Sequence, residues 1–566
     1  MNRIKFLIIG LLIVQIGNAQ NPLLIPSTLT GSDINLTLQN GTTQFYSGQT
    51  TNTMGANGNI LGPTLILNQG DFVNFSVTNQ LAETTTVHWH GLHVSPENDG
   101  GPHTTIAANS TWTPSFTIMD KASTYWYHPH LHHFTDKHVS KGIAGMIIVK
   151  DTDEAALNLP RTYGVDDFPL IIQTKDFDAN NQIVVHSNSD DVVMVNATID
   201  PFLDVPSQVV RYRVLNGSSQ RAFNLGLDNN QPFNQIASDG GLLSSPVQLT
   251  RLLLAPGERA EILIDFSGMN GQTVYLKSYA AELQNGIYGA TNPGLGAGLT
   301  MNGYNPNPLN GFDFNILQFT IGTQSTNPIT AIPSNLVTVT PIPAGNSNIT
   351  RTLTFTPVTA GPNQLNGDFL INGATMDLNV INYSVPLNNT EIWELTNQSA
   401  ISHPFHIHDV QFNILTRNGV APPVNEQGRK DVVLVKPQET VRFIAKFEDF
   451  SNDAVPYMYH CHLLTHEDGG MMGQFIVSNP PLSVDENSID DKFTIYPNPS
   501  EGFINIEVKV NSVVDDIFIY DNLGRIINIT VIKNENSIRI EGLQNGVFYI
   551  KVIIGKDAVI KKVIAY

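Results

Sequence analysis

Apolar residues along this chain come in short runs, many of them alternating with polar positions, and each is closed within a few residues by Gly, Pro, Asn or Asp. A two-residue period places successive side chains on opposite faces of a strand, and stretches long enough to show a 3.6-residue period are scarce. The pattern predicts an all-β protein. Turn-rich seams at 151–159, at 323–334 and from Asn479-Pro480-Pro481 to Lys492 leave three units of roughly 130 to 170 residues and a smaller tail, sizes that suit β-sandwiches. The expected units are 20–152, 158–322 and 333–479, with a linker over 480–492 and a small tail domain over 493–566.

The first nineteen residues follow a different rule. Arg3 and Lys5 precede an apolar run from Phe6 to Ile16, and Gly17-Asn18-Ala19 closes it, the three parts of a signal peptide whose removal leaves Gln20 near the mature start. That run is short for a bilayer span and no later stretch holds eighteen apolar residues, so stable membrane insertion is not expected. The net charge of −20 becomes −22 without Arg3 and Lys5. Such an acidic surface argues against a nucleic-acid partner and for solubility, while leaving metal cations attracted. Cys461 is the only cysteine, which excludes an intramolecular disulfide and leaves an exported thiol to be explained.

The first and third units repeat one pattern. Thr78-Asn79-Gln80 precedes His88-Trp89-His90, and Thr396-Asn397-Gln398 precedes His406-Ile407-His408, with nine residues from Asn to the first His in both. Tyr125-Trp126-Tyr127-His128-Pro129-His130-Leu131 is echoed by Tyr457-Met458-Tyr459-His460-Cys461-His462-Leu463. The middle unit keeps the grammar in Leu215-Asn216-Gly217 but has Leu225 where the histidine would fall, so it reads as a copy without metal ligands.

Of sixteen histidines, ten fall in four clusters: His88/His90, His128/His130, His403/His406/His408 and His460/His462/His466. On a strand each His-x-His pair presents two imidazoles side by side, and four pairs drawn from two duplicated units can enclose a multinuclear metal site between them. Histidines that merely punctuate strand ends would not pair in duplicate. The extended backbone turns Cys461 away from His460 and His462, so one strand touches two sites. On the Cys461 side, His403, His466 and a methionine, Met471 or the adjacent Met472, complete the ligand set of an electron-transfer copper. The first unit has Thr85, Pro129 and Phe134 where the third has His403, Cys461 and His466, so only the third can hold a thiolate site.

These motifs, His88-Trp89-His90-Gly91, His128-Pro129-His130, His403-Pro404-Phe405-His406-Ile407-His408 and His460-Cys461-His462 through His466 to Met471, resemble those of multicopper oxidases over roughly residues 40–478. The likeness extends to Ala255-Pro256-Gly257-Glu258-Arg259-Ala260-Glu261 of the middle unit. It implies three cupredoxin-like Greek-key β-sandwich domains and four copper ions. Cys461, His403, His466 and Met471 would hold the type 1 copper. His88 and His406 would hold type 2, and His90, His128, His130, His408, His460 and His462 the type 3 pair. Asp99 and Glu467 match family positions linked to proton supply; the bland alternatives are a turn residue and a solvated acid. His93, His103, His132, His133 and His138, near the motifs, and His186 are left unassigned, solvated loop histidines being commoner than substrate-metal ligands.

The resemblance implies an enzyme that takes single electrons from a small-molecule or metal-ion reductant and reduces dioxygen to water, laccase-like, with phenols or aromatic amines as the leading donors. A metallo-oxidase of cuprous, ferrous or manganous ions is the alternative, disfavoured for copper detoxification by eleven methionines with no dense run. Outside enzymes, the alternative is a copper-binding protein without significant turnover. The tail, with Tyr496-Pro497-Asn498-Pro499, Leu523-Gly524-Arg525, Gly546-Val547-Phe548-Tyr549-Ile550-Lys551-Val552 and Lys561-Lys562-Val563-Ile564, resembles the C-terminal β-sandwich sorting domain of type IX secretion. This implies contact with secretion machinery and a secreted or surface location, with the periplasm as alternative. A carbohydrate-binding module is the competing reading, weakened by the scarcity of aromatics.

Overall fold

The computed structural model describes residues 20–479 and 493–566, apart from 509–513, 523, 535–536 and 555–556. The expected signal peptide and linker lie outside the described residues. The chain divides between Asn479 and Pro480 into two compact units.

The larger unit holds three β-sandwiches, each with its own apolar core, in a nearly all-β chain of cupredoxin-like build. The repeated Asn has a structural cause. The Asn79 side chain donates to the carbonyls of Glu83 and Ile106 and accepts from the Leu81 amide. Asn397 does the same with Ile401, Val435 and Ser399, and Asn216 with Arg221, Leu254 and Ser218. In each sandwich one buried carboxamide thus satisfies backbone groups that the turn beyond the strand leaves unpaired.

The strands that carry histidines follow the alternation predicted. In Ser123–His128, Tyr125 and Tyr127 enter the first core, while Trp126 faces the seam with the middle sandwich. In Tyr457–Cys461, the residues Tyr457, Tyr459 and Cys461 enter the third core and leave His460 on the opposite face. The registers match: His88 lies opposite His128 across one antiparallel pair, and His406 opposite His460 across the other.

Two seams differ from expectation. Asp151–Leu159 contains a short helix, Thr152–Ala155, because the Asp151 carboxylate caps the Glu154 amide at 2.7 Å. Segment 323–334 is packed: Ile329 and Ile332 lie against Leu159, Val209 and Ile236 of the middle unit. The first described residues also leave their expected unit, since Asn21–Pro22 pairs with Pro201–Phe202 in a sheet of the middle sandwich.

In the smaller unit a four-stranded and a three-stranded sheet enclose a core that includes Ile504, Ile506, Ile540, Ile550 and Val563. Among the described residues no helix is long and apolar enough to cross a membrane.

Candidate metal centre

The alternation that buries Cys461 in the third core carries its sulfur to 3.5 Å from His403 Nδ1 and 3.8 Å from His466 Nδ1, with the two ring nitrogens 3.3 Å apart. The Leu463 amide points at the sulfur from 3.5 Å, and Ser399 Oγ bonds His403 Nε2 at 2.8 Å, which aims Nδ1 inward. Phe369 covers both rings, at 4.8 Å from His403 and 4.4 Å from His466. Met471 is fully buried in the same core; its amide donates to His466 and its carbonyl accepts from Cys461. Met472 sits instead opposite His460 on the neighbouring strand.

On the other face of that strand His460, with His462 just past its end, joins six imidazoles carried by three other strands or the residues directly after them. Three groups have their nitrogens within 4.8 Å of one another: His88, His90 and His406; His90, His128 and His462; His130, His408 and His460. The duplication makes this arrangement pseudo-two-fold. Exchanging His88 with His406, His90 with His408, His128 with His460 and His130 with His462 maps the second group onto the third and leaves the pair His88/His406 on the axis. Stacking obeys the same exchange, His88 on His408 at 3.9 Å and His90 on His406 at 3.8 Å. The helices that follow the two HxH strands, Thr135–Lys141 and Leu464–Asp468, pack against each other across it.

Most rings are anchored by one nitrogen and open at the other. His88 Nδ1 is held by the Asp99 carbonyl at 2.9 Å, His128 Nδ1 by the Pro129 carbonyl at 2.8 Å and His406 Nδ1 by the Asp431 carbonyl at 2.8 Å. His408 Nδ1 is held by Asp99 Oδ2 at 2.7 Å. Such anchoring fixes the tautomer and leaves a lone pair on the far nitrogen. Three of those far nitrogens, His88 Nε2, His406 Nε2 and His408 Nε2, are buried without a hydrogen-bond partner, while His128 Nε2 meets His90 Nδ1 at 3.3 Å. Leaving each so costs on the order of 1–3 kcal/mol, a cost that a cation shared between them removes. Burial and neighbouring rings also push His90, His128, His403, His406 and His408 well below the usual imidazole range and bring His130 and His462 to about 3; burial brings His466 to about 3. Neutral imidazoles are what a metal requires. With the soft sulfur of Cys461, the donor set suits copper.

Neither acid singled out in the sequence is a surface group. Asp99 lies between His88 and His408; Glu467 lies between His130 Nδ1 at 3.3 Å and His460 Nδ1 at 3.2 Å. Both touch ring nitrogens turned away from the cluster. The histidines expected to be solvated are mostly not. His138 is buried, bonded to Thr85 and Glu83, and so fills the first-unit position that corresponds to the thiolate site. His93 reaches Asp409 and Asp449, and His103 bonds Gln474. His133 bonds the Asp468 carbonyl and stacks on His132, while His186 is half exposed beside Asp136. Sequence reasoning missed Asp431, Ser399 and Trp126, which stacks on His128 at 4.0 Å. No spacing marks Asp431; Ser399 follows the Thr396-Asn397-Gln398 motif closely enough to have been noticed.

Fold and site together define a cupredoxin-built protein with one cluster of a cysteine and two histidines and one cluster of eight imidazoles, both composed of groups that could hold metal. The profile of the multicopper oxidase family matches residues 37–154 and again 344–481, and that of a secretion system C-terminal sorting domain matches 494–566. A multicopper oxidase of Staphylococcus haemolyticus is 35% identical over 457 residues, covering 78% of this chain and 88% of the relative. A cell division protein, FtsP, of Photorhabdus laumondii is 31% identical over 473 residues, covering 81% and 93%. The structure of a laccase-like multicopper oxidase from Ochrobactrum sp., at 33% identity, superposes with a TM-score of 0.70 over 81% of this chain and all of that one. The chain belongs to the multicopper oxidase family. Membership implies copper, a reductant and dioxygen, and the tail implies handling by secretion machinery and an exported or cell-surface protein.

Proposed function

We propose that this protein is a laccase-like oxidase taking single electrons from phenolic or aromatic-amine donors at the Cys461 site and reducing dioxygen at the imidazole cluster. The observation that carries it is the single strand whose Cys461 faces His403 and His466 while its neighbours, His460 and His462, face the cluster. Cys461, His403, His466 and Met471 hold the type 1 copper, His88 and His406 the type 2, and His90, His128, His462, His130, His408 and His460 the type 3 pair. When bound, these four coppers supply the one-electron oxidation of the donor and the four-electron reduction of dioxygen to water.

The chain's own residues do the rest. Peptide bonds join Cys461 to two ligands of the other site, so a continuous covalent path links oxidation and reduction. His466, the least buried residue of the thiolate site, is the one nearest to solvent and so the group the donor approaches. Water formation consumes protons, and Asp99 Oδ2 and the two Glu467 oxygens, each on a ligand's outer nitrogen, are the groups that relay them. The phenolic class is supported by the structural relative described as oxidising lignin model compounds. Export proceeds through the signal peptide over residues 1–19 and type IX secretion by the tail.

Copper-loaded protein given phenols, bilirubin and reduced metal ions side by side should consume oxygen fastest with phenols. Preference for cuprous, ferrous or manganous ions would replace the donor assignment. A second reading, a copper-binding protein without turnover, stays open because some relatives are named as cell division proteins and not as oxidases; stoichiometric copper with no oxygen uptake across the panel would decide for it.

A further inference from the structure

The pseudo-two-fold exchange that relates the histidines also relates two carboxylates. Asp99 holds His88 Nδ1 through its carbonyl and His408 Nδ1 through its side chain. Asp431 holds His406 Nδ1 through its carbonyl at 2.8 Å and His90, the counterpart of His408, through its side chain. The correspondence breaks in two places. His90 meets Asp431 Oδ1 with Nε2, at 3.1 Å, and turns Nδ1 to 3.3 Å from His128 Nε2. Among the described residues Asp99 has no Lys or Arg beside it and one oxygen without a hydrogen bond, whereas Asp431 is gripped at both oxygens by Arg259 of the middle sandwich, at 2.6 and 2.5 Å.

Arg259 has no freedom to do otherwise. Its remaining donors go to the carbonyls of Thr124, Gly257 and Asp239, and it is fully buried. Space for the pair is made by Gly91, at φ +88°, where a Cβ would lie 2.5 Å from Asp431 Oδ2 and 2.7 Å from an Arg259 nitrogen. Both Asp431 oxygens already accept from Arg259, so the ring nitrogen of His90 that faces Oδ1 is placed as a donor and the other is left with the lone pair.

We infer that Arg259 and Asp431 are positioning residues that lock His90 as the Nε2–H tautomer, so that it offers Nδ1 to the metal shared with His128 and His462. Its counterpart His408, anchored at Nδ1, offers Nε2. The ligand-free middle domain thereby sets the difference between the two halves of a duplicated site. The inference rests on the metal reading of the cluster but is testable without metal.

The test uses the whole chain and the variants Asp431→Asn and Arg259→Gln. In copper-free protein labelled with 15N at histidine, with the His90 signals assigned by their loss in His90→Gln, the native chain should show a proton on Nε2 and both variants a mixture of tautomers. In copper-loaded protein, chelator competition should show roughly 10- to 100-fold weaker retention of copper at the cluster. The blue absorption of the Cys461 site, on the opposite face of the strand, should persist. A native His90 protonated on Nδ1, or variants with native tautomer and native retention, would overturn the inference. If Asp431→Asn does not fold, Arg259→Gln decides the matter through the same two measurements. A native chain that takes up no copper would sink the oxidase reading, and the tautomer measurement would still judge this one.

Discussion

Gly257 is where the middle sandwich presses on the cluster, and Gly257→Ala tests whether that contact positions a ligand. A Cβ there would stand 2.9 Å from His462 Cγ and Cδ2 and 3.0 Å from Nε2, against ordinary contacts that begin at 3.4 Å. The ring must therefore retreat by about 0.5 Å or the loop must. The backbone is also left-handed, at φ +85°, which costs an L-residue roughly 1–2 kcal/mol. Overpacking adds roughly 1–3 kcal/mol. Gly268→Ala separates the two costs, because Gly268 has φ +75° and nothing within 4 Å of its added Cβ. Both variants should unfold a few degrees lower. Only Gly257→Ala should lower oxygen consumption, by about 10- to 100-fold, since a ligand displaced by a fraction of an ångström misplaces the reacting groups. Its blue absorption should survive, Cys461 facing the other way. Equal activity in the two variants, or blue colour lost in step with turnover, would refute the reasoning.

Cys461→Ser should abolish both blue colour and turnover while circular dichroism stays native, because the hydroxyl replaces the thiol in shape but not as a soft ligand. Glu261→Gln reports on the first–second domain seam. Burial alone would raise the Glu261 carboxyl, but Arg211 and Arg213 hold it at about 2, down from 4.5. A depressed pKa stabilises fully above the unfolded value and fades as pH falls toward about 2, so the native carboxyl contributes about 3 kcal/mol at neutral pH. The variant should unfold at lower urea at pH 7 and converge on the native chain toward pH 2; parallel curves would rule the linkage out. A chain ended at Asn479 should keep native copper content and oxygen uptake, since the tail forms a unit of its own; loss of copper would give the tail a structural role.

What the sequence disclosed depended on repetition and period. His-x-His on a strand states its own geometry, so the opposite facing of Cys461 and its neighbours follows from the two-residue period alone. Duplication then supplied the second half of the cluster. Arg259 was legible only as part of a family-like segment and Asp431 not at all, because their partnership spans 172 residues and two sandwiches, and a lone Asp in Lys430-Asp431-Val432 has no local signature. Glu467 and Asp99 were legible as positions but not as buried groups, because burial depends on how the duplicated units close on each other. His138 stayed unassigned for the same reason: only the fold shows that the first unit fills its absent thiolate site with a histidine held by Thr85 and Glu83.

The split of ligands between sandwiches has a consequence for stability. The first sandwich supplies four imidazoles of the cluster and the third supplies four, so neither alone completes any shared site. Whatever free energy metal binding contributes therefore stabilises the seam between them more than either core, which already closes without it. Cys461, His403 and His466 behave differently, because all three belong to the third sandwich and its own core surrounds them. Removing copper should accordingly loosen the protection of backbone amides around His88–His90 and His403–Ile407 where the units meet, while the interior strand Thr390–Asn397 exchanges no faster. The middle sandwich, with Arg259 on Asp431 and Gly257 against His462, limits how far that loosening goes.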